Sequence, residues 1–206
     1  MHFDKNSSKT LHSILKHRRD VRGNLFKKKK IEKKALKKIL KAGVLAPSVG
    51  YSQPWKFVVV SSKKTKKKIY KNFKGEYEKS KKHFNDPLYH KLKLEGIKES
   101  PVNIAVFYKK ADKKILGQTS QKKMGEYSVV CAVQNMWLMA RSLNIGIGWV
   151  SILKPKKVRK VLGVEKNYKL VAYLCVGYVK EFYKEPELKK LKWERKKSFC
   201  EVIEWA

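Results

Sequence analysis

Residues 17–23, which read HRRDVRG, combine residue types that bind anions with one that can move protons. The chain has 51 Lys and Arg residues but only six Arg, and three of these, Arg18, Arg19 and Arg22, lie within five positions. Arg presents a planar fork of donors that matches phosphate and carboxylate, whereas Lys presents a point charge. Arg at these positions therefore favours bidentate recognition of an anion, most simply a phosphate. The alternative is a set of cations stabilised by the C-terminal end of a helix dipole.

Two further stretches contain Gly or Pro where a ligand could approach the backbone. In LAPSVGYSQPW, Pro47, Gly50 and Pro54 predict a rigid loop with exposed backbone groups, which suits a planar ring that forms hydrogen bonds. In GIGWVSIL, Gly146 and Gly148 lie on a predicted strand, where Gly can admit a ligand close to the main chain. Each stretch has an ordinary alternative: a helix-to-strand turn for the first, and a tight turn into a core strand for the second.

Several other chemistries lack their sequence signatures. Neither GxGxxG nor GxxxxGK[ST] occurs, so there is no Rossmann fingerprint and no P-loop. The five His residues have no metal-ligand spacing, and no metal site is predicted. Ser151 has no evident His–Asp partner set, which argues against a serine hydrolase.

The formal net charge is +34, which raises the question of nucleic-acid or anionic-membrane binding. The Lys residues are scattered along the whole chain rather than gathered in one stripe, and no RNA-binding or zinc-knuckle signature is present. This distribution favours a Lys-rich solvated surface over a specific nucleic-acid site. Non-specific adhesion of nucleic acid at low salt is still expected.

Length and composition predict a single globular domain over residues 1–206, with 42% hydrophobic residues available for a core. The three Cys residues are widely spaced and form no CxxC motif, so a reducing cytoplasm is expected. The chain opens on polar residues without a signal peptide. No apolar run reaches the roughly 18 residues of a membrane span, so no membrane association is predicted.

Hydrophobic periodicity predicts the elements that must position these residues. Ser7 or Ser8 is expected to cap a first amphipathic helix, and a second helix is expected to stop at Pro47. Four apolar runs, WKFVVVSS, NIAVFY, GIGWVSIL and YKLVAYLCVGYV, predict strands. Residues 62–100 are Lys-rich and weakly helical, and PKKVRKVLGV predicts a short helix. This order indicates an α+β or three-layer fold around a mixed sheet.

The stretch KMGEYSVVCAVQNMWLMARSLN has almost no polar side when it is drawn as a helix. A helix that is apolar all round is buried all round. In a domain of this size, such burial predicts contact with a second subunit as well as with the sheet. We therefore expect a homodimer.

Seven stretches, in order, resemble those of the nitroreductase-like flavoproteins: RRDVR, LAPSVGYSQPW, KLKLEGIKESP, GQTSQ, YSVVCAVQNMWLMARSLNIGIGWVSIL, LVAYLCVGYV and YKEPEL. The resemblance covers about residues 11–193, and the high positive charge is a departure from the family. It implies an α+β, three-layer fold with a mixed, mostly antiparallel sheet flanked by helices. It also implies a homodimer with FMN bound at the subunit interface.

The resemblance assigns positions to the flavin as well. The Arg cluster would hold the FMN phosphate and ribityl chain, and residues of the LAPSVGYSQPW loop would lie against the isoalloxazine. Residues after the third strand would face the other edge of the ring, and one residue would come from the excursion at 62–100. The implied cofactor-binding set is Arg18, Arg19, Asp20, Val21, Arg22, Pro47, Ser48, Gly50, Leu94, Trp149, Ser151 and Arg195, with Arg195 placed near the phosphate.

Two positions distinguish branches within the family. Common nitroreductases carry the sequence RRS where this chain has Arg18, Arg19 and Asp20, so Asp20 replaces a serine. They also usually carry Asn where this chain has Tyr51. Both departures favour a flavin-cleaving branch, in which reduced FMN and O2 yield dimethylbenzimidazole, the lower ligand of cobalamin, and erythrose 4-phosphate. In that branch Asp20 would move protons at the ribityl carbon, kept ionised by the nearby Arg residues, while Ser151 would hydrogen-bond the flavin or an intermediate.

Two other functions remain open at this point. A conventional NAD(P)H-dependent flavin reductase or nitroreductase would use the same fold, with Asp20 as the contrary observation. A basic nucleic-acid-binding protein would explain the charge but not the seven stretches. If the flavin-cleaving reading holds, a separate flavin reductase is expected to supply reduced FMN.

Overall fold

The computed structural model describes residues 1–84 and 86–206, and its centre is a four-stranded sheet. The strands are β1 (Trp55–Val60), β2 (Val102–Lys109), β3 (Ile145–Trp149) and β4 (Tyr168–Tyr178). They lie in the order β1-β2-β4-β3, and neighbouring strands pair antiparallel. Parallel pairing in the described residues is limited to an isolated bridge between Asp20 and Ile147. All four apolar runs thus form the predicted strands.

Helices cover both faces of the sheet. The α-helices of the described residues are α1 (Lys5–His17), α2 (Lys33–Val44), α3 (Lys63–Ser80), α4 (Pro87–Lys91), α5 (Met124–Ser142), α6 (Pro155–Val161) and α7 (Glu187–Lys190). Residues of α2 and α5 share one buried cluster with the sheet, and residues of α3 and α6 share the other. These three layers confirm the predicted α+β fold.

The central strand β2 is buried on both faces of the sheet, which explains why its sequence is mostly apolar. Side chains alternate across a strand. Ile104 and Val106 therefore point into the α5 layer, while Ala105 and Phe107 point into the α3 layer. All four are fully buried. A strand with helices on both faces has no position left for a polar side chain that faces water.

Helix α5 is buried on one side only within a single subunit. Val129 and Met136 are fully buried against the sheet. On the opposite side Tyr127 and Val130 remain 50% and 41% exposed. The predicted second subunit would cover this outer side, and that assembly stays a prediction. Neither α5 nor another described helix has the length and hydropathy needed to cross a bilayer.

One predicted helix end is wrong and one is confirmed. The cap of α1 is Asp4 rather than Ser7 or Ser8, because the Asp4 carboxylate accepts hydrogen bonds from both the Ser7 N–H (2.7 Å) and the Ser7 hydroxyl (2.6 Å). Helix α2 ends at Val44, before Pro47, as predicted, since a proline disfavours helical angles at the residue that precedes it.

Candidate functional site

Residues 18–22 leave the end of α1 in extended conformation and run beside β3. Arg18 caps the helix with extended backbone angles, and the Val21 N–H donates to the Ile147 carbonyl (3.0 Å). Val21 is buried in the core, where its side chain and carbonyl fill the space beside Gly146 and Gly148. These two glycines therefore admit the protein's own chain rather than a ligand. The predicted role of Val21 in cofactor binding stays a prediction, since its side chain is packed in the core and its N–H is already bonded to Ile147.

The Asp20 carboxyl is held at the end of β3 by both of its oxygens. Oδ1 accepts the Trp149 N–H at 2.9 Å, and Oδ2 forms an ion pair with Arg22 Nη1 at 2.8 Å. About a third of the side chain remains accessible (32%), yet the protein packed around the carboxyl strips it of much of its hydration.

That desolvation raises the pKa of Asp20 above its ordinary value, against the opposing effects of Arg22, the Trp149 N–H and Arg18. The Arg residues do favour the ionised form of Asp20, as expected, but burial opposes it more strongly, so the net shift of its pKa is upward. That the Arg residues keep Asp20 ionised stays a prediction. A carboxyl in this condition takes up a proton more readily than an exposed Asp does. It suits a group that must both accept and return a proton.

Arg22 lies between two carboxylates. Besides Asp20, it contacts Glu187 of α7, with Arg22 Nε 3.2 Å from Glu187 Oε2. Only 14% of the Arg22 side chain is exposed. Sequence reasoning missed Glu187, and its position in the YKEPEL stretch was the signal that could have found it.

Arg18 and Arg19 have different surroundings. Arg19 donates to four main-chain carbonyls, those of Lys16 and Arg18 at the end of α1 and those of Tyr183 and Lys184 in the tail. It therefore ties two segments together and has little capacity left for an anion. The Arg18 guanidinium lies 4.8 Å from the centre of the Trp137 ring and makes no hydrogen bond or ion pair within the described residues.

A free guanidinium fork is what a phosphate needs. Of the three clustered Arg residues, Arg18 is thus the best placed to bind an anion. Trp137, predicted only as part of an apolar helix, stacks beneath this cation and donates its indole N–H to the Arg19 carbonyl (3.2 Å).

Residues 47–54 form a strained loop between α2 and β1. Gly50, Tyr51 and Gln53 all have positive φ angles, of 53°, 49° and 45°. The Ser48 hydroxyl accepts the Gln53 N–H (3.1 Å) and closes the loop. Positive φ in non-glycine residues costs free energy and persists only where the surroundings impose it, so this segment is rigid, as the sequence predicted.

The same loop borders a cavity of mixed polar and apolar lining. A cavity of about 340 Å³ adjoins Ser52, Pro54 and Ile115, and the buried Ser52 hydroxyl has no hydrogen-bond partner within the described residues. Gly50 itself is required by the chain, since a side chain there would collide with Ile115 and the backbone of Leu116. Pro47 is exposed beside the loop. Arg18 thus offers a free fork that suits a phosphate, and the loop offers exposed backbone that suits a planar ring. The contacts of the described residues do not join these two parts within one subunit.

The remaining predicted cofactor-binding residues differ in burial and in surroundings. Trp149 is half-buried, with its ring 6.4 Å from that of Trp137, so it stands beside Asp20 and Arg18. Ser151 is exposed two residues further on. Leu94 packs against the core cluster that contains Val21. It is therefore packed on the core of the fold, and its contact with the flavin stays a prediction.

Arg195 differs from the other predicted cofactor-binding residues in its contacts. It is exposed in the tail, and both of its terminal nitrogens engage the Glu201 carboxylate, at 2.9 and 2.5 Å. Its partners within the subunit do not include the residues around Asp20. Its predicted contact with the phosphate has no support from these contacts and stays a prediction.

The chain matches the model of the nitroreductase family over residues 15–178, which span the Arg cluster, the strained loop and all four strands. This chain belongs to the nitroreductase family. The resemblance read from the seven stretches is confirmed.

Curated relatives narrow the comparison within the nitroreductase family. The chain is 36% identical over 200 residues to 5,6-dimethylbenzimidazole synthase of Rhodospirillum rubrum, covering 95% of this chain and 94% of the relative. It is 32% identical to the enzyme of the same name from Rhodobacter capsulatus, covering 94% and 95%. Among solved structures, iodotyrosine deiodinase bound to FMN and 3-iodo-L-tyrosine superposes with a TM-score of 0.71 at 24% identity, covering 84% of this chain and 91% of the other. This last likeness shows the fold.

Proposed function

We propose that this nitroreductase-family protein is a 5,6-dimethylbenzimidazole synthase, which uses O2 to fragment reduced FMN into dimethylbenzimidazole and erythrose 4-phosphate. The observation that carries the proposal is the Asp20 carboxyl, fixed between the Trp149 N–H and Arg22 within the Arg cluster. The likeness to synthases of that name runs over nearly the whole chain and supports it. The dimethylbenzimidazole product then becomes the lower ligand of cobalamin.

Each part of the site has a task in this reaction. Reduced FMN supplies the carbon atoms of the product and the electrons that O2 takes up. Arg18 binds the phosphate through its free fork, and the rigid loop with Pro47, Ser48 and Gly50 supports the ring. Ser151, at the end of β3, donates a hydrogen bond to the ring edge.

Asp20 carries the proton chemistry. Cleavage at the ribityl carbon beside the ring requires a proton to be removed and later returned, and we assign both transfers to the Asp20 carboxyl, the group within the Arg cluster that can act as acid and base. Arg22 and the Trp149 N–H hold the carboxyl in one orientation, so that the proton moves at a defined position. An Asn or Ser at this position could hydrogen-bond the flavin but could not transfer a proton.

The proposal includes the setting of the reaction. The enzyme works in the cytoplasm as a homodimer, with the flavin at the interface of the two subunits. O2 is the second substrate. A separate flavin reductase supplies reduced FMN, since flavin is consumed rather than recycled.

One experiment tests the proposal against its competitors. FMN is reduced chemically under nitrogen, mixed with the purified protein, and exposed to air, and the products are separated by liquid chromatography with mass detection. Loss of flavin with formation of dimethylbenzimidazole is expected. Clean reoxidation to FMN, with NAD(P)H turnover in a parallel assay, would instead identify a flavin reductase or nitroreductase. No effect on flavin, with salt-sensitive retention of DNA, would identify a nucleic-acid-binding protein.

A further inference from the structure

The tail of the chain returns to the Arg cluster and closes it from outside. Main-chain carbonyls of Tyr183 and Lys184 accept hydrogen bonds from Arg19, and the Glu187 carboxylate pairs with Arg22. The Glu187 side chain is only 19% exposed. A residue from the far end of the sequence is thus built into the surroundings of Asp20.

The geometry forms a chain of three charges. Asp20 Oδ2 lies 2.8 Å from Arg22 Nη1, and Arg22 Nε lies 3.2 Å from Glu187 Oε2. One guanidinium therefore serves two carboxylates from two of its edges. The fork of Arg is planar and rigid, so a partner on the Nε edge fixes the direction in which the Nη1 edge points. Glu187 in this way aims Arg22 at Asp20.

The same arrangement affects the charge balance at Asp20. The groups that face it are Arg22 and Arg18, which favour its ionised form, and Glu187, which opposes ionisation. Cys175 of β4 is fully buried nearby, and burial raises the pKa of its thiol, so it adds no charge at neutral pH. Glu187 is therefore the acid that offsets the two cations.

We propose that Glu187 is a positioning residue that holds Arg22 between two carboxylates and thereby sets the protonation state of Asp20 during flavin cleavage. The part that concerns cleavage rests on the proposed function; the part that concerns Asp20 does not. Glu187 reaches the reaction only through Arg22.

Glu187→Gln separates charge from shape. The amide oxygen can still accept the Arg22 Nε–H, but the negative charge is gone, and Arg22 then has Asp20 as its single anionic partner. Asp20 should lose its proton at lower pH, by roughly half a unit or more, given that nearby charges shift carboxyl pKa values by about one to three units at contact distance. The limb of the pH profile of dimethylbenzimidazole formation that depends on Asp20 should move to lower pH by the same amount.

The titration can be measured without flavin. The chain has only four aspartates, Asp4, Asp20, Asp86 and Asp112, so carboxyl ¹³C NMR of protein labelled at Asp gives few signals, and Asp20→Asn assigns the one of interest. Glu187→Gln should lower the pH midpoint of the Asp20 titration. Glu187→Asp, which keeps the negative charge, should have a midpoint close to that of the wild type. Glu187→Ala removes the same charge and replaces the Gln variant if that variant perturbs the circular dichroism spectrum.

Glu185→Gln is the matched control. Glu185 lies in the same tail segment but pairs at the surface with Lys189 (2.8 Å), and its removal should leave the Asp20 midpoint in place. An Asp20 midpoint that is equal in wild type and in the charge-removing variants would overturn the proposal. Wild-type protein that forms no dimethylbenzimidazole would refute the proposed function alone, because the NMR titration would still decide the role of Glu187.

Discussion

The carbonyl oxygen of Val21 occupies the space that a side chain on Gly148 would need. This close approach allows residues 18–22 to lie along β3, with the Val21 N–H on the Ile147 carbonyl. It also brings the preceding carboxyl, that of Asp20, onto the Trp149 N–H at the strand end. The position of the candidate acid is therefore set by a backbone contact that only glycine permits.

Gly148→Ala should damage both the fold and the site. The added methyl group would meet backbone, which cannot rotate away, and such overpacking costs about 1–3 kcal/mol. Displacement of the Asp20 carboxyl should also abolish most dimethylbenzimidazole formation. Urea unfolding and product analysis measure the two effects.

Gly75→Ala provides the control, because Gly75 lies in α3 with open space around its Cα. This change should stabilise the protein by about 0.5–1 kcal/mol, through helix propensity. Equal stability of the Gly148→Ala variant and the wild type would show that the Val21 segment is not held as described.

Sequence patterns predicted the parts of this molecule that depend on local chemistry. Apolar runs located all four strands, since a strand such as β2 with helices on both faces is mostly apolar, and its buried Asn103 is held by hydrogen bonds. The choice of cap for α1 failed because Asp4, Ser7 and Ser8 are all good capping residues, and only the geometry of the chain entering the helix selects one.

The site was predictable as a cluster but not as a network. The Arg residues attract notice by their type, yet Glu187 lies 165 residues from Arg22 in sequence, and nothing local marks one Glu of the tail. Likewise, the commitment of Arg19 to main-chain carbonyls follows from the path of the tail. The raised pKa of Asp20 reflects packing density, which a list of neighbouring charges does not contain.

Arg22→Lys should weaken FMN binding although the charge is kept. A lysine ammonium is a point charge and cannot engage Asp20 and Glu187 from two fixed edges as the Arg22 fork does. Loss of a charged hydrogen bond costs about 1.5–3 kcal/mol. Fluorescence titration with FMN at fixed salt measures the change.

Arg159→Lys, on α6, serves as the comparison for that titration, since Arg159 donates to the Val164 carbonyl outside the candidate site. It should bind FMN as the wild type does. If both variants kept wild-type affinity, the geometry of the Arg22 fork would have no part in FMN binding, and the anion contact would be left to Arg18.

The exposed side of α5 predicts the assembly state. Tyr127 and Val130 on α5, with Leu11 and Leu15 on α1, remain large exposed apolar side chains in one subunit. Full burial of an exposed apolar side chain is worth on the order of 1.5–3 kcal/mol, and these four are about half exposed, so each would gain roughly half of that. Sedimentation should therefore show a dimer at micromolar concentration. Val130→Asp should shift it toward monomer. Val161→Asp, at an exposed Val of α6, should not; a folded wild-type monomer would contradict the prediction.

The raised pKa of Asp20 fixes the sign of a pH effect on stability. The folded protein holds this proton more tightly than the unfolded chain, so stability falls as pH rises through the folded-state pKa, and the cost is absent below the ordinary Asp value of about 4. Asp20→Asn removes the titration. The Tm of the variant minus that of the wild type should therefore become more positive from pH 4 to pH 8 in thermal scans. A flat or falling difference would mean that the cations, not desolvation, dominate at Asp20.

The same substitution tests the role of Asp20 in the reaction. The Asn side chain can keep the hydrogen bond from the Trp149 N–H, so reduced FMN should still bind, but an amide cannot accept and return a proton. General acid–base groups contribute about 10²–10⁴-fold in rate, and dimethylbenzimidazole should fall by that factor while the flavin reoxidises to FMN. Binding by anaerobic titration and product by mass detection give the two readouts. Near wild-type product from Asp20→Asn would leave the carboxyl as a structural acid beside Arg22 and would favour an ordinary flavin reductase.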